Sequence, residues 1–212
     1  MEVKCIIFDC DGVLVDTEKI GHEILLSMAA EYGFEMSIED ACRHFNGRKL
    51  KECFLDIEKV ISKKLPDEFE SEYRQKTFAA FKTQVKAMDG VVDFIEKLKI
   101  PYCVASSGPV NKIKFNLEIA GLLDKFENKI YSSYEINSWK PDPEIFLHAA
   151  KEMGFDVKDC IVVEDSKAGV KAGVKGGFKV YGFANGFNNE DLQQEGAILF
   201  NNYPELAVLL EL

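Results

Sequence analysis

Short, unbroken apolar runs recur along the chain: VKCIIFD near the start, then PYCVASS, NKIYSS, DCIVVED, FKVYGF and a weaker AILF. A run that is apolar at every position predicts a strand covered on both faces, as in a parallel sheet flanked by helices. Helical periodicity fills the gaps between these runs. GVVDFIEKLK repeats Val91, Val92, Ile95 and Leu98, and NKIKFNLEIAGLL keeps Ile113, Leu117 and Ala120 in step. PEIFLHAAKEMG starts with Pro143 and stops at Gly154, a pairing suited to a helix start and a left-handed stop. SKAGVKAGVKGG offers Ser166 as an N-cap. Strand and helix alternate, which predicts an α/β fold with an open, Rossmann-like parallel sheet.

Residues 17–86 break that rhythm. TEKIGHEILLSMAAEYGF, SIEDACRHF, LKECFLDIEKVISKKL and PDEFESEYRQKTFAAFKTQV all carry helical patterns, and no convincing strand lies among them. The expected organisation is a core of residues 1–16 and 87–212, with 17–86 as an inserted all-helical cap domain. The chain crossings fall near Val15–Thr17 and near Lys86–Gly90. There is no internal repeat and no low-complexity tract.

Composition narrows the function. At 212 residues, 47% hydrophobic and 29% charged, the chain is long enough for one large domain with an insertion. A net charge of −10 argues against non-specific binding to nucleic acid or to an anionic membrane. No apolar stretch approaches the roughly 18–20 residues a spanning helix needs. The N-terminus reads directly as a strand, without the sequence of regions that marks a signal peptide. Cysteines 5, 10, 42, 53, 103 and 160 are scattered without a CxxC, which predicts reduced, packed thiols and a cytoplasmic location.

Ligands of open parallel sheets bind beyond the carboxyl ends of the strands. Asp9 and Asp11 follow the first run, and Ser106, Ser107 and Gly108 follow the second. Trp139-Lys140-Pro141 follows the third in a loop, and Glu164 and Asp165 follow the fourth. Like charges so close repel, so the crowding asks for a cation. Oxygen-only ligands favour Mg²⁺, which commonly shares a phosphate with its carboxylates. A carboxylate can also attack phosphorus to give an aspartyl-phosphate. Lys140 would neutralise phosphate oxygens. Ser106 and amides at a helix N-terminus would cradle the anion. Asp11 would protonate the leaving oxygen and later activate water.

The four stretches DCDGVLVD, VASS, WKPDP and VVEDS resemble the motifs of the haloacid dehalogenase superfamily of phosphatases. The resemblance covers the whole chain, including a helical cap of the C1 type placed after the first motif, as in subfamily IA. It implies Asp9 as nucleophile and Asp11 as general acid/base that also gives its backbone carbonyl to Mg²⁺. Ser106 and Lys140 would bind the transferring phosphoryl group. Asp165 would ligate Mg²⁺ together with Asp9, with Glu164 as a ligand or a supporting acid. An acid at position 11 separates this chain from dehalogenases, which lack one, and from cation pumps, which carry Thr there. It implies a phosphatase or a phosphomutase.

β-Phosphoglucomutase is the alternative, with a similar fold and motifs. Where that mutase has a cap histidine, this chain has Gly21, and His22 one position on would be turned by about 100° on a helix. Where it has an arginine after a cap glycine, this chain has Leu50. The stretches FNGRKLKE, GPVNK and YEINSWKPDP resemble bacterial 6-phosphogluconate phosphatase-like members. The expected partner is therefore a small phosphorylated metabolite, a sugar phosphate or phosphorylated sugar acid. Ser107, Gly108, Gly47, Arg48 and Lys49 are the expected substrate contacts. The chain is expected to be a monomer or a weak homodimer. Closure of the cap over the core is expected to exclude bulk water and to select the substrate.

Overall fold

The computed structural model describes residues 3–46, 48, 50–184 and 186–212. It divides into two compact units, one of residues 1–16 and 86–212 and the other of Thr17–Val85.

The first unit is built on six parallel strands: β1 (Cys5–Phe8), β2 (Tyr102–Ser106), β3 (Ile130–Ser132), β4 (Cys160–Glu164), β5 (Lys179–Phe183) and β6 (Ile198–Phe200). Their order across the sheet is β3-β2-β1-β4-β5-β6. Every residue of β1 is buried, as is every residue of β4. Cys5 and Ile7 pack into one layer with Cys103, Val162, Ile145 and Phe146. On the other face, Phe8 meets Phe94, Tyr102 and Phe126 edge to face. This explains why the runs are apolar at every position rather than at alternate ones.

The chain runs outward from β1 to β3 on one side, then restarts at β4 on the other. The reversal lies between β1 and β4, the kind of switch point beyond whose strand ends open parallel sheets bind their ligands. Register sets what meets there: Phe8 pairs with Val163, so Asp9 leaves β1 beside Glu164 at the end of β4.

Local signals fix the helices of this unit. They are α5 (Val91–Lys97), α6 (Val110–Ile119), α7 (Ser133–Ile136), α8 (Glu144–Glu152), α9 (Lys167–Lys175), α10 (Asn189–Gln194) and α11 (Tyr203–Leu209). Helix α8 begins after Pro143 and ends against Gly154, whose φ of +79° supplies the left-handed stop. Ser166 caps α9, its hydroxyl accepting from the Gly169 amide at 3.1 Å. Asp142 does not cap α8; its amide closes a turn on the Trp139 carbonyl. Sequence periodicity gives no hint of α7, a single turn closed by a capping box between Ser132 and Glu135.

The second unit holds α1 (Glu18–Ala30), α2 (Ile38–Phe45), α3 (Leu50–Ile61) and α4 (Phe69–Gln84). Its core gathers Leu25, Met28, Phe34, Phe45, Ile57 and Phe69. Ser37 caps α2 through the Asp40 amide. On the side of the first unit, the two chain crossings lie together: the Asp16 amide donates to the Lys86 carbonyl at 3.0 Å, and Val15 bridges to Ala87.

Candidate active site

Asp9 is the first residue past β1, and its amide donates to the Val163 carbonyl at 2.9 Å. That bond holds its backbone while the carboxylate stays at the strand end, 7% exposed. Gly12, at φ +78°, turns the chain away at once. A Cβ at Gly12 would overlap the carboxyl group of Asp165, so only glycine lets the two segments lie so close. The Tyr203 hydroxyl, buried behind this turn, donates to the Val13 carbonyl at 2.7 Å.

Lys140 lies beyond β3 and the turn of α7, and its side chain returns to the sheet edge. Its Nζ donates to Asp9 Oδ1 at 2.5 Å and to Glu164 Oε1 at 2.6 Å. The Ala105 carbonyl lies at 3.5 Å and the Phe146 ring at 4.8 Å. Burial works against the ammonium, but Asp9 and Glu164 outweigh it and hold the lysine above its ordinary pKa. For Asp9, burial pushes the carboxyl up to about 7; Lys140 pulls it down, and Glu164 and Asp11 push it up. A carboxylate in this setting carries a charge that a bound cation would welcome.

Glu164 has both oxygens engaged. Oε1 accepts from Lys140, and Oε2 accepts from the Ser166 amide at 2.7 Å and the Ser166 hydroxyl at 3.0 Å. A Cβ at Gly169 would overlap its carboxyl. Glu164 is thus held between the lysine and the cap of α9, the setting of an acid that supports Lys140. Asp165, 5% exposed, has its backbone carbonyl held by Asn188 Nδ2 at 2.7 Å, and the same amide nitrogen reaches the Phe183 carbonyl at 3.1 Å.

Ser106 ends β2 and is buried, its Oγ accepting from the Gly108 amide at 3.1 Å. Ser132 Oγ donates to the Gly108 carbonyl at 2.7 Å, which pins the Ser106–Gly108 turn to the end of β3. Ser107 is part of that turn and half-buried. Asp11 takes two bonds from α6: Lys112 Nζ at 2.9 Å to Oδ2 and Asn116 Nδ2 at 3.0 Å to Oδ1.

Asp9, Lys140 and Glu164 are thus in direct contact. Asp11, Ser106 and Asp165 line the same sheet edge. Arg48 belongs to the helical unit and is tied there, with Nη1 2.7 Å from Asp56 Oδ2 and 3.2 Å from His44 Nε2. Gly47 and Lys49, the other expected contacts in that stretch, lie outside the described residues. Periodicity did not bring out Lys112, Asn116, Ser132 or Asn188. The one signal available was Asn116, a polar residue on the apolar side of NKIKFNLEIAGLL, next to Leu117.

The oxygen donors at this edge, the Asp9 and Asp165 carboxylates and the Asp11 carbonyl, fit a hard cation. Among the described residues no three His, Cys, Asp or Glu side chains form a ready-made cage.

Residues 6–183 match the haloacid dehalogenase-like hydrolase family. The chain belongs to that family. It is 32% identical over 209 residues to the 6-phosphogluconate phosphatase of Escherichia coli strain K12, covering 98% of this chain and 94% of the relative. A phosphorylated carbohydrates phosphatase of Thermotoga maritima is 27% identical, with 99% of each chain covered. The crystal structure of a haloacid dehalogenase-like protein of unknown function from Agrobacterium tumefaciens superposes with a TM-score of 0.93 at 29% identity, over 99% of this chain and 98% of that one. The protein is a hydrolase of this family, and the E. coli and T. maritima relatives are phosphatases.

Proposed function

We propose that this hydrolase is a Mg²⁺-dependent phosphatase that passes the phosphoryl group of a small sugar phosphate to Asp9 and then to water. The observation that carries this reading is the contact of Lys140 with Asp9 and Glu164 at the switch point of the sheet, with Asp11 two residues beyond the nucleophile. An Asp9 oxygen forms a bond to phosphorus as the bond to the leaving oxygen breaks. Asp11 gives that oxygen its proton, then takes one from the water that attacks the aspartyl-phosphate and restores Asp9. Lys140 and Ser106 bind the phosphoryl oxygens, with Ser107, Gly108 and the start of α6 completing the cradle. Asp9, Asp165 and the Asp11 carbonyl would hold Mg²⁺, which when bound neutralises charge on the phosphoryl oxygens. Glu164 holds Lys140 in place.

The names of the relatives support a phosphorylated sugar or sugar acid, 6-phosphogluconate first among them. The unbridged cysteines fit a reducing, cytoplasmic setting. Hydrolysis is favoured over phosphomutase action by two features of α1. A Cβ at Gly21 would stand 3.1 Å from the Tyr73 hydroxyl, so that position has little room for a larger side chain. His22 is buried inside the helical unit against Phe45 and Cys42, so it presents no exposed imidazole to a sugar.

The test is phosphate release from p-nitrophenyl phosphate and 6-phosphogluconate, with Mg²⁺ and with EDTA. Release should need Mg²⁺ and vanish in Asp9→Asn. Retained activity in that variant would sink the nucleophile assignment. Conversion of β-glucose 1-phosphate to glucose 6-phosphate without free phosphate would replace the hydrolase with a mutase.

A further inference from the structure

Helix α6 carries two polar side chains one turn apart that reach the same carboxylate. Lys112 and Asn116 are spaced i and i+4, which places them on one helix face. Lys112 Nζ takes Asp11 Oδ2 and Asn116 Nδ2 takes Asp11 Oδ1, so each oxygen of Asp11 has its own donor. The sequence separations are over a hundred residues, and the contact exists only because β1 and β2 are neighbours in the sheet.

Asn116 is fully buried, and its Oδ1 has no hydrogen-bond partner. A buried carbonyl left unpaired is destabilising. A leucine would fill the same helix face, between Ile113 and Leu117, without that penalty. The side chain's one satisfied group points at Asp11. The balance of stability alone does not explain an asparagine here, whereas a fixed donor for Asp11 does.

We propose that Lys112 and Asn116 are positioning residues that together fix the carboxylate of Asp11, so that its oxygen faces the leaving group rather than turning toward solvent. The inference rests on the hydrolase reading, in which Asp11 supplies the proton to the departing oxygen. In this role both residues act through Asp11 rather than on the phosphoryl group. Lys112, with its side chain 42% exposed, is the outer half of the clamp, and Asn116 the buried inner half.

A positional role has a signature that a scaffold role lacks. An aryl leaving group departs readily as an anion and depends little on a well-aimed acid, whereas a sugar alkoxide depends on it strongly. kcat/KM should therefore be measured for p-nitrophenyl phosphate, glucose 6-phosphate and 6-phosphogluconate in Lys112→Met, Lys112→Arg and Asn116→Leu. Lys112→Met and Asn116→Leu should each lose about tenfold on both sugar substrates, as expected for a mis-aimed catalytic group, and less than about threefold on the aryl substrate. Lys112→Arg should recover most of the loss. Asn116→Leu should melt at the same temperature as the wild type or higher, which separates a positioning loss from an unfolding one.

Equal losses on all three substrates would overturn the proposal, as would wild-type activity in both variants. A loss confined to 6-phosphogluconate would also overturn it, because Lys112 would then be reading the substrate's carboxylate. The parent reading fails separately: if Asp9→Asn or Asp11→Asn stays active on the sugar substrates, the site assignment itself is wrong whatever the α6 variants do.

Discussion

Charged groups are arranged in opposite ways in the two units. In the sheet unit, Lys140 and Glu164 are almost completely withdrawn from solvent, at 6% and 1%, and their partners come from distant parts of the chain. In the helical unit, the pairs Arg74–Glu70 and Lys19–Glu23 sit one turn apart on outward faces, and Lys59 reaches Asp56 in the same manner. Exposed pairs of that kind contribute about 0–1 kcal/mol. A buried pair is different: taking away one partner strands the other in a poorly solvated place, at about 3–5 kcal/mol. The difference teaches where chemistry is fixed and where sequence can drift. The buried set of Asp9, Lys140 and Glu164 must stay paired for the sheet unit to keep its stability, whereas the outer faces of α1–α4 can change residues with little effect.

Lys140→Met should show that contrast most strongly. Asp9 and Glu164 would face each other without their shared cation, so the sheet unit should lose about 3–5 kcal/mol at neutral pH, read by urea unfolding, and phosphate release should disappear. A variant as stable as the wild type would make the Lys140 pairs no stronger than surface ones.

Asp11→Asn comes next. It keeps the shape of the side chain and one acceptor for the two α6 donors, so the protein should stay folded with a modest loss of stability, but proton transfer is lost. kcat on a sugar phosphate should fall by about 10²–10⁴-fold, and a change within twofold would contradict the acid/base role.

His22 sharpens the comparison, because it is a titratable group that the helical unit buries. Burial lowers its pKa from 6.5 to about 4, with Glu18 3.8 Å from Nε2 and Cys42 Sγ 3.6 Å from Nδ1. The folded unit keeps the imidazole neutral while the unfolded chain takes up a proton below pH 6.5. The stabilisation is therefore complete above pH 6.5 and is lost as the pH falls toward 4, by about 3 kcal/mol. A histidine titration followed by NMR should place this ring near 4, and His22→Gln should flatten the stability curve over that interval. A ring titrating near 6.5, with parallel curves for the two proteins, would remove His22 from the buried set.

Arg48→Ala should have the smallest effect on folding. Lys59, and after it Arg48, hold Asp56 well below the usual carboxylate range, but the cluster lies near the surface and loss of the Arg48 pair should cost within about 1 kcal/mol. If this stretch chooses the substrate, kcat/KM should fall for 6-phosphogluconate and hold for p-nitrophenyl phosphate. Equal change on both would place Arg48 outside recognition.

The sheet was legible because burial on both faces leaves a simple mark, a run without polar positions. Asp9, Ser106, Lys140 and Asp165 could be picked out because each follows such a run or its loop. What could not be read was the support around them. Asn116 looks like a flaw in an amphipathic pattern until the fold brings it to Asp11, and Glu164 looks like one more acid until Lys140 and Ser166 occupy both of its oxygens. Such contacts depend on which strands become neighbours, and local periodicity carries no record of strand order. Helix α7 was silent for a similar reason: a four-residue turn is held by its cap, not by an apolar face.

The place of β1 in the sheet has a consequence for how the protein is made. Of the six strands, β1 is made before the other five and is a central one, with partners at Tyr102–Val104 on one side and Cys160–Val163 on the other. All of α1–α4 is synthesised before either partner exists. Because the helical unit gathers its own core, it can condense first and bring the ends of its long excursion together, as the stitch between Val15 and Ala87 requires. Loop closure then costs little more than for a short connection. The apolar segment CIIF must wait until residue 163 has emerged before both its edges are paired. During that interval its unpaired edges are open to wrong partners.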